Sequence, residues 1–254
     1  MTNKKGHLKA LGVDIGGSST KFCLIDKKDK TILKTLTVPH KDENGTEEIC
    51  SKILHQMKEW EFEGSIGIGF PGIVKNQVIF DAPNLGNNWN GYDFRTYLAS
   101  HEIDVTSVLN DADAATMAMI EQSKDWSEHE ILCLTIGTGI GSGWISKGQL
   151  TAGTEYGREY IPELQCTLEQ WASAKVIIEE ELSLHEWVIR FSDVLDILIE
   201  KYSPEAIMLC GGITTEKEHW LAELQALQSV RIVISDYEEY TGAYGASLLI
   251  KCKK

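Results

Sequence analysis

No apolar run in the chain is long enough to span a bilayer. The opening stretch, MTNKKGHLKA, is basic but has no apolar core of the kind an export signal needs. There is no CxxC pair either: Cys23, Cys50, Cys133, Cys166, Cys210 and Cys252 are scattered. Cys23, Cys133 and Cys210 sit inside apolar runs, where a free thiol packs as a small hydrophobe. A soluble, reduced, cytoplasmic protein is expected. Basic side chains are scarce, 24 against 38 acidic ones, for a net charge of −14. That field repels nucleic acid and anionic membranes, so neither is expected as a partner. It still admits a small anionic ligand at a local loop. None of the glycine turns matches GxxxxGK[ST], and DIGGSS is not the dinucleotide GxGxxG, so neither a P-loop nor a dinucleotide fold is supported. No low-complexity linker divides the chain, and the seven histidines are dispersed and read as surface or core residues.

What is present is 254 residues, 43% of them hydrophobic, enough for one large domain or two smaller ones with real cores. LGVDIGGSSTKFCLID, Leu11 to Asp26, breaks a hydrophobic run with an aspartate and two glycines. A buried strand normally avoids both. Strands are predicted at Leu8 to Val13, Lys21 to Ile25, Thr31 to Val38 and Ser65 to Val74. A helix is predicted over Glu47 to Trp60, with Ile49, Ile53, Met57 and Trp60 on one stripe. A polar loop, Asp81 to Tyr92, leads to a helix over Tyr92 to His101 and a strand at Val105 to Leu109. The layout then repeats in ILCLTIGTGIGSGWIS, Ile131 to Ser146. Helices at Trp171 to Glu181 and Trp187 to Lys201, strands at Ala206 to Leu209 and Val230 to Ile234, and a small-residue helix from Gly242 to Lys254 complete it. Two α/β halves are expected, residues 1–109 with 242–254 and residues 110–241, related by duplication with a ligand cleft between them.

Backbone N–H groups of tight glycine turns can converge on phosphate oxygens. Three turns qualify: Gly16-Gly17-Ser18, Gly137-Thr138-Gly139, and Gly211-Gly212. Asp14, just before the first, can hold Mg²⁺ directly or through water. Any one turn alone reads as a plain hairpin; three in echoing halves point to nucleotide or phosphate binding.

DIGGSSTK, GFPGIV, APNLGNNW, LNDADAA, LTIGTGIGSG, CTLEQWAS and LCGGIT occur in the order found in sugar kinases of the ROK family (repressor, open reading frame, kinase). From about Leu8 to Leu249 the chain resembles that family, and most of all its polyphosphate/ATP glucokinase branch. The resemblance implies the actin-like ATPase fold, two ribonuclease-H-like α/β domains flanking a cleft where sugar and phosphoryl donor meet. It implies a hexose kinase, with glucose phosphorylated at the 6-hydroxyl, Mg²⁺ as cofactor, and ATP or polyphosphate as donor. A homodimer is expected. Asp14 and the glycines after it resemble the superfamily's first phosphate loop, and Lys21 follows it closely. Lys21 reads equally as a phosphate contact or a strand-edge residue facing solvent.

Within LNDADAA, Asp111 matches the family's general base and Asn110 a sugar-hydroxyl ligand. Local sequence alone reads Asn110 or Asp111 equally as a helix N-cap, and Asp113 as structural. Asn84, Glu155 and Glu169 match sugar ligands. The loop around Asn84 is rich in asparagine and carries Trp89, whose indole suits the C–H face of a sugar. Zinc-bearing members have a histidine where this chain has Arg158, followed by a cysteine cluster of which only Cys166 is present. Four ligands for a structural zinc are not there, so zinc is not expected. Two other classes share parts of this pattern. A sugar-sensing regulator of the same family would carry a helical DNA-binding domain ahead of the first strand, and an actin-like ATPase would have no use for the sugar motifs.

Overall fold

The computed structural model describes residues 8–40, 45–82, 85, 87–126 and 128–250. Their contacts divide the chain into two units, Met1–Ala118 with Gly242–Lys254, and Met119–Thr241.

In the first unit β1 (Lys9–Ile15), β2 (Ser19–Asp26) and β3 (Ile32–Pro39) form an antiparallel meander. Helix α1 (Thr46–Glu59) then crosses to β4 (Ile66–Phe70), parallel to β1. A small hairpin, β5 (Ile73–Lys75) and β6 (Val78–Asp81), leads through a 3₁₀ turn at Asn87–Trp89 to α2 (Phe94–Ala99) and β7 (Val105–Asn110), parallel to β4. The sheet order is β3-β2-β1-β4-β7. β1 and β4 are covered on both faces, which is why they read as nearly unbroken apolar runs rather than alternating ones. Ile49, Ile53 and Met57 of α1 join the core beneath them.

Helix α3 (Asp111–Gln122) follows. The second unit repeats the plan: β8 (Ile131–Ile136), β9 (Ile140–Ser146) and β10 (Gln149–Thr151) are antiparallel. A two-stranded ribbon, β11 (Tyr160–Ile161) with β12 (Cys166–Thr167), comes next. It is followed by α4 (Leu168–Ala172), α5 (Ala174–Glu179) and α6 (Leu184–Tyr202). β13 (Ala206–Cys210) lies parallel to β8, and after α7 (Leu221–Leu227) β14 (Arg231–Ile234) lies parallel to β13. The order β10-β9-β8-β13-β14 matches the first sheet strand for strand. α6 opens with a capping box from Ser183 and Glu186, buries Trp187, Phe191, Leu195 and Leu198, and ends at Ser203 in the left-handed region.

Helix α8 (Thr241–Leu248) returns to the first unit. It lies so close to the sheet that a Cβ on Gly12 would stand 1.7 Å from the Ala243 carbonyl oxygen, and one on Gly67 2.0 Å from that of Ala246. Tyr244 donates its hydroxyl to the Lys30 carbonyl (3.2 Å).

Two elements differ from the sequence-based expectation. The helix predicted over Trp171 to Glu181 is broken at Ser173, whose extended backbone (ψ 160°) ends α4 and starts α5. The strand predicted over Ser65 to Val74 stops at Phe70, and Ile73 opens the separate hairpin. The last four residues, 251–254, of the predicted final helix lie outside the described residues. Among the described residues no helix is long and apolar enough to cross a membrane.

Candidate active site

The first unit gathers its candidate residues at the carboxyl ends of β1, β4 and β7, where open α/β sheets bind ligands. Asp14, Gly69 and Leu109 stand level across the three parallel strands. A Cβ on Gly69 would lie 3.2 Å from the Ala114 Cβ, 3.4 Å from Asp14 Oδ1 and 3.5 Å from the Asp111 Cα, so the Asp14 carboxylate and the backbone that carries Asp111 both approach this glycine. On the other side Asp14 rests on the start of α8: a Cβ on Gly242 would be 2.7 Å from its Cγ and Oδ2. Burial pushes the Asp14 carboxyl above its ordinary pKa, while the Lys21 ammonium pulls it down. Lys21 is the direct cross-strand partner of Asp14 in the β1–β2 ladder and so shares its face of the sheet. It is half-buried rather than turned fully to solvent.

The helix cap at α3 is made by Asn110. Its Oδ1 accepts the backbone N–H groups of Ala112 (2.8 Å) and Asp113 (3.2 Å), and its Nδ2 donates to the Gly72 carbonyl (3.1 Å). One side chain thereby fixes the start of α3 to the GFPG turn. Asp111 occupies the first turn of α3, where the helix dipole favours a carboxylate, and its Oδ1 accepts the Ala112 N–H (2.9 Å). Asp113 is buried.

The Gly16–Ser19 turn is closed by the Gly16 N–H on the Ser19 carbonyl (2.9 Å). His40, which sequence reasoning left aside, holds this turn. Its backbone N–H donates to the Ser18 carbonyl (2.8 Å), and its ring lies between Thr20 Oγ1 (2.8 Å from Nε2) and the Gly17 carbonyl (3.4 Å from Nδ1). Burial and the Lys52 charge lower the His40 pKa. No local signal pairs a histidine with a turn some twenty residues upstream; only the β2–β3 register brings them together.

Trp89 is not available to a sugar. It is fully buried against Phe70 (4.9 Å between ring centroids), Tyr92 and Phe94. The aromatic residues flanking the polar loop draw the indole into the core. Asn84 lies outside the described residues.

In the second unit the glycine turn after β8 and the Gly211-Gly212 turn after β13 stand at adjacent strand ends. Gly137 and Gly212 face open space, and Thr138 is exposed. Gly211 is different: its φ is +106° and a Cβ there would stand 2.2 Å from the Ile136 carbonyl oxygen, so the fold itself demands glycine. Gly139 lies under Glu169, whose Oε2 would be 2.5 Å from an added Cβ. Glu155 begins a 3₁₀ turn, Tyr156–Arg158, docked on the same strand: the Tyr156 N–H donates to Ser142 Oγ (2.9 Å), and Gly157 packs on the Ile140 carbonyl. Both glutamates thus flank the second glycine turn. Arg158 Nε lies 3.5 Å from Glu155 Oε2 in an exposed pair.

The donor chemistry at Asp14 suits a hard cation, because Mg²⁺ takes one or two carboxylates and completes its shell with phosphate and water. Asp14 offers one such carboxylate at the end of β1.

The model of the ROK family matches residues 10–158. The chain belongs to the ROK family. Over 243 residues it is 26% identical to the polyphosphate glucokinase of Mycobacterium leprae, covering 94% of this chain and 74% of that one. Its structure is similar to that of an inorganic polyphosphate/ATP-glucomannokinase from Arthrobacter sp. strain KM, with a TM-score of 0.86, 28% identity, and coverage of 94% of this chain and 97% of that one. It also shares the fold of a ROK glucokinase from Streptomyces griseus solved with glucose and AMPPNP, with a TM-score of 0.77 at 20% identity, over 94% and 98% of the two chains. This ROK protein is a sugar kinase of the hexokinase type with the actin-like ATPase fold.

Proposed function

We propose that the protein phosphorylates glucose at its 6-hydroxyl and accepts both polyphosphate and ATP. The observation that carries the reading is the approach of the Asp14 carboxylate and of the start of α3, which carries Asp111, to Gly69 at the ends of three parallel strands. Asp111 is the general base. It accepts the proton of the 6-hydroxyl as the oxygen attacks the terminal phosphorus, the task an aspartate performs in other kinases. Asn110 sets the start of α3 and with it the backbone that carries Asp111, and it retains an amide N–H for a sugar hydroxyl. Glu155 and Glu169 accept hydroxyl hydrogen bonds, and Asn84 adds an amide. Backbone N–H groups at Gly17 and Ser18, with Lys21, receive donor phosphate, while the Gly16 N–H closes the turn on the Ser19 carbonyl. Asp14 would hold Mg²⁺, directly or through water, and the bound ion would supply charge neutralisation for the phosphates. In the second unit Gly137 and Gly212 face open space and Thr138 is exposed, which leaves these turns accessible to phosphate.

Polyphosphate use is supported by the names of the relatives at 26% and 28% identity. Gly211 does not argue for ATP over polyphosphate, since its backbone requires glycine for either donor. The test is a panel of hexoses crossed with ATP and long-chain polyphosphate, followed by product analysis. Glucose 6-phosphate from both donors is expected. Turnover of either donor that does not depend on added sugar would overturn the kinase assignment for glucose, and activity with one donor alone would overturn dual use.

A further inference from the structure

We propose that Gly139 is a positioning residue for the sugar: its missing side chain is the seat of the Glu169 carboxylate, and the phosphate-facing part of this turn is confined to Gly137 and Thr138. The inference rests on the reading of Glu169 as a sugar ligand. An added Cβ at position 139 would stand 2.5 Å from Glu169 Oε2 and 3.6 Å from its carboxyl carbon, and no other atom comes within 4 Å. Backbone conformation does not demand glycine, for Gly139 does not have a positive φ. What a side chain there would displace is the Glu169 carboxylate.

The backbone that carries Glu169 is fixed, so an added Cβ at position 139 would be cleared by a shift of the carboxylate at the end of its side chain. Glu169 is in the first turn of α4, which is locked at its start by a capping box: Gln170 N–H to Thr167 Oγ1 (3.3 Å) and Thr167 N–H to Gln170 Oε1 (3.0 Å). Leu168 and Ala172 are fully buried, and the Trp187 indole donates to the Ala172 carbonyl (2.9 Å). A fixed helix therefore aims a carboxylate at one glycine of the turn. A phosphate on that face would meet a like charge at close range, which is unfavourable. Gly137, two residues earlier, meets nothing within 4 Å and presents no such obstacle.

The experiment compares Gly139→Ala, Gly137→Ala, Glu169→Gln and the double variant Gly139→Ala with Glu169→Asp. Glucose binding is measured by titration without donor, alongside KM for glucose and for ATP. Gly139→Ala should weaken glucose binding by roughly tenfold or more, the effect of disturbing hydrogen bonds to a charged group, and leave the ATP KM near its parent value. Shortening the acid in the double variant makes room for the methyl group and should restore part of the glucose affinity, and this rescue also separates the contact from a folding defect. Gly137→Ala should raise the ATP KM and spare glucose. If Gly139→Ala raises the ATP KM with normal glucose binding, or the aspartate fails to rescue, the proposal falls. If Glu169→Gln itself leaves glucose binding unchanged, the sugar role of Glu169 falls and the proposal with it.

Discussion

Asp14 and Asp111 are both carboxylates at strand ends, yet their surroundings set them different tasks. Asp111 sits in the first turn of a capped helix, where the helix dipole favours a carboxylate, and its Oδ1 accepts the Ala112 N–H. Asp111→Asn should cut kcat by roughly a hundredfold or more, the usual contribution of a positioned base being about 10²–10⁴-fold, while glucose binding changes little. Near-normal kcat in that variant would leave Asp111 with a structural role only. Asp14 is held against Gly242 and burial raises its pKa above 3.8. The native state then keeps a proton that the unfolded chain has already lost, so stability falls as pH rises through the unfolded value, and a charged Asp14 is a net cost at neutral pH. Asp14→Asn should therefore melt higher than the parent at pH 7 in metal-free buffer. The gap should close as the pH approaches 4, and sugar phosphorylation should drop by about 10–100-fold, as for lost metal-site partners. A lower melting temperature would mean that the carboxylate is stabilised by contacts stronger than its desolvation.

At the scale of elements, the contact between α8 and the first sheet is made of absent side chains. Gly12, Gly67 and Gly245 each meet a backbone carbonyl oxygen at 2.0 Å or less from an added Cβ, the last against Ala114 of α3. Backbone cannot give way as a flexible side chain can. Gly67→Ala should cost about 1–3 kcal/mol or more, read as a fall of roughly 2–4 °C per kcal/mol in a thermal melt; an unchanged melt would show that α8 is not seated there. Much of this plan was legible. Apolar runs interrupted by glycine marked the paired β1–β2 and β8–β9 hairpins, and small residues marked α8. What stayed hidden depended on distant contacts. Trp89 looked like a sugar platform until Phe70 and Phe94 were found around it. Ser173 broke a helix whose apolar spacing runs on through it. The hold of His40 on Ser18 arises from strand register, which local pattern does not fix. The NDADAA stretch announced acids at a helix start, but only the hydrogen bonds assigned the cap to Asn110.

For the whole molecule, the charge of −14 bears on the donor. A long polyanion gains its extra affinity from exposed cations, and in the first unit Lys28 is exposed with Lys27 and Lys30 half-buried beside it, a short cluster. Contacts of that kind are screened over about 8 Å at physiological ionic strength. Raising the salt concentration should depress polyphosphate-dependent phosphorylation steeply and ATP-dependent phosphorylation far less, measured as KM for each donor across a salt series. Equal slopes would place all polyphosphate contacts within the site itself. The return of α8 to the first unit has a consequence for biosynthesis. Residues 123–240, nearly the whole second unit, are translated between α3 and the helix that packs on Gly12 and Gly67. Domains ordinarily fold in the order they emerge from the ribosome; here the amino-terminal sheet must wait, with one face uncovered, until the second unit has been made, and that interval is when the nascent chain is most exposed to aggregation and most in need of a chaperone.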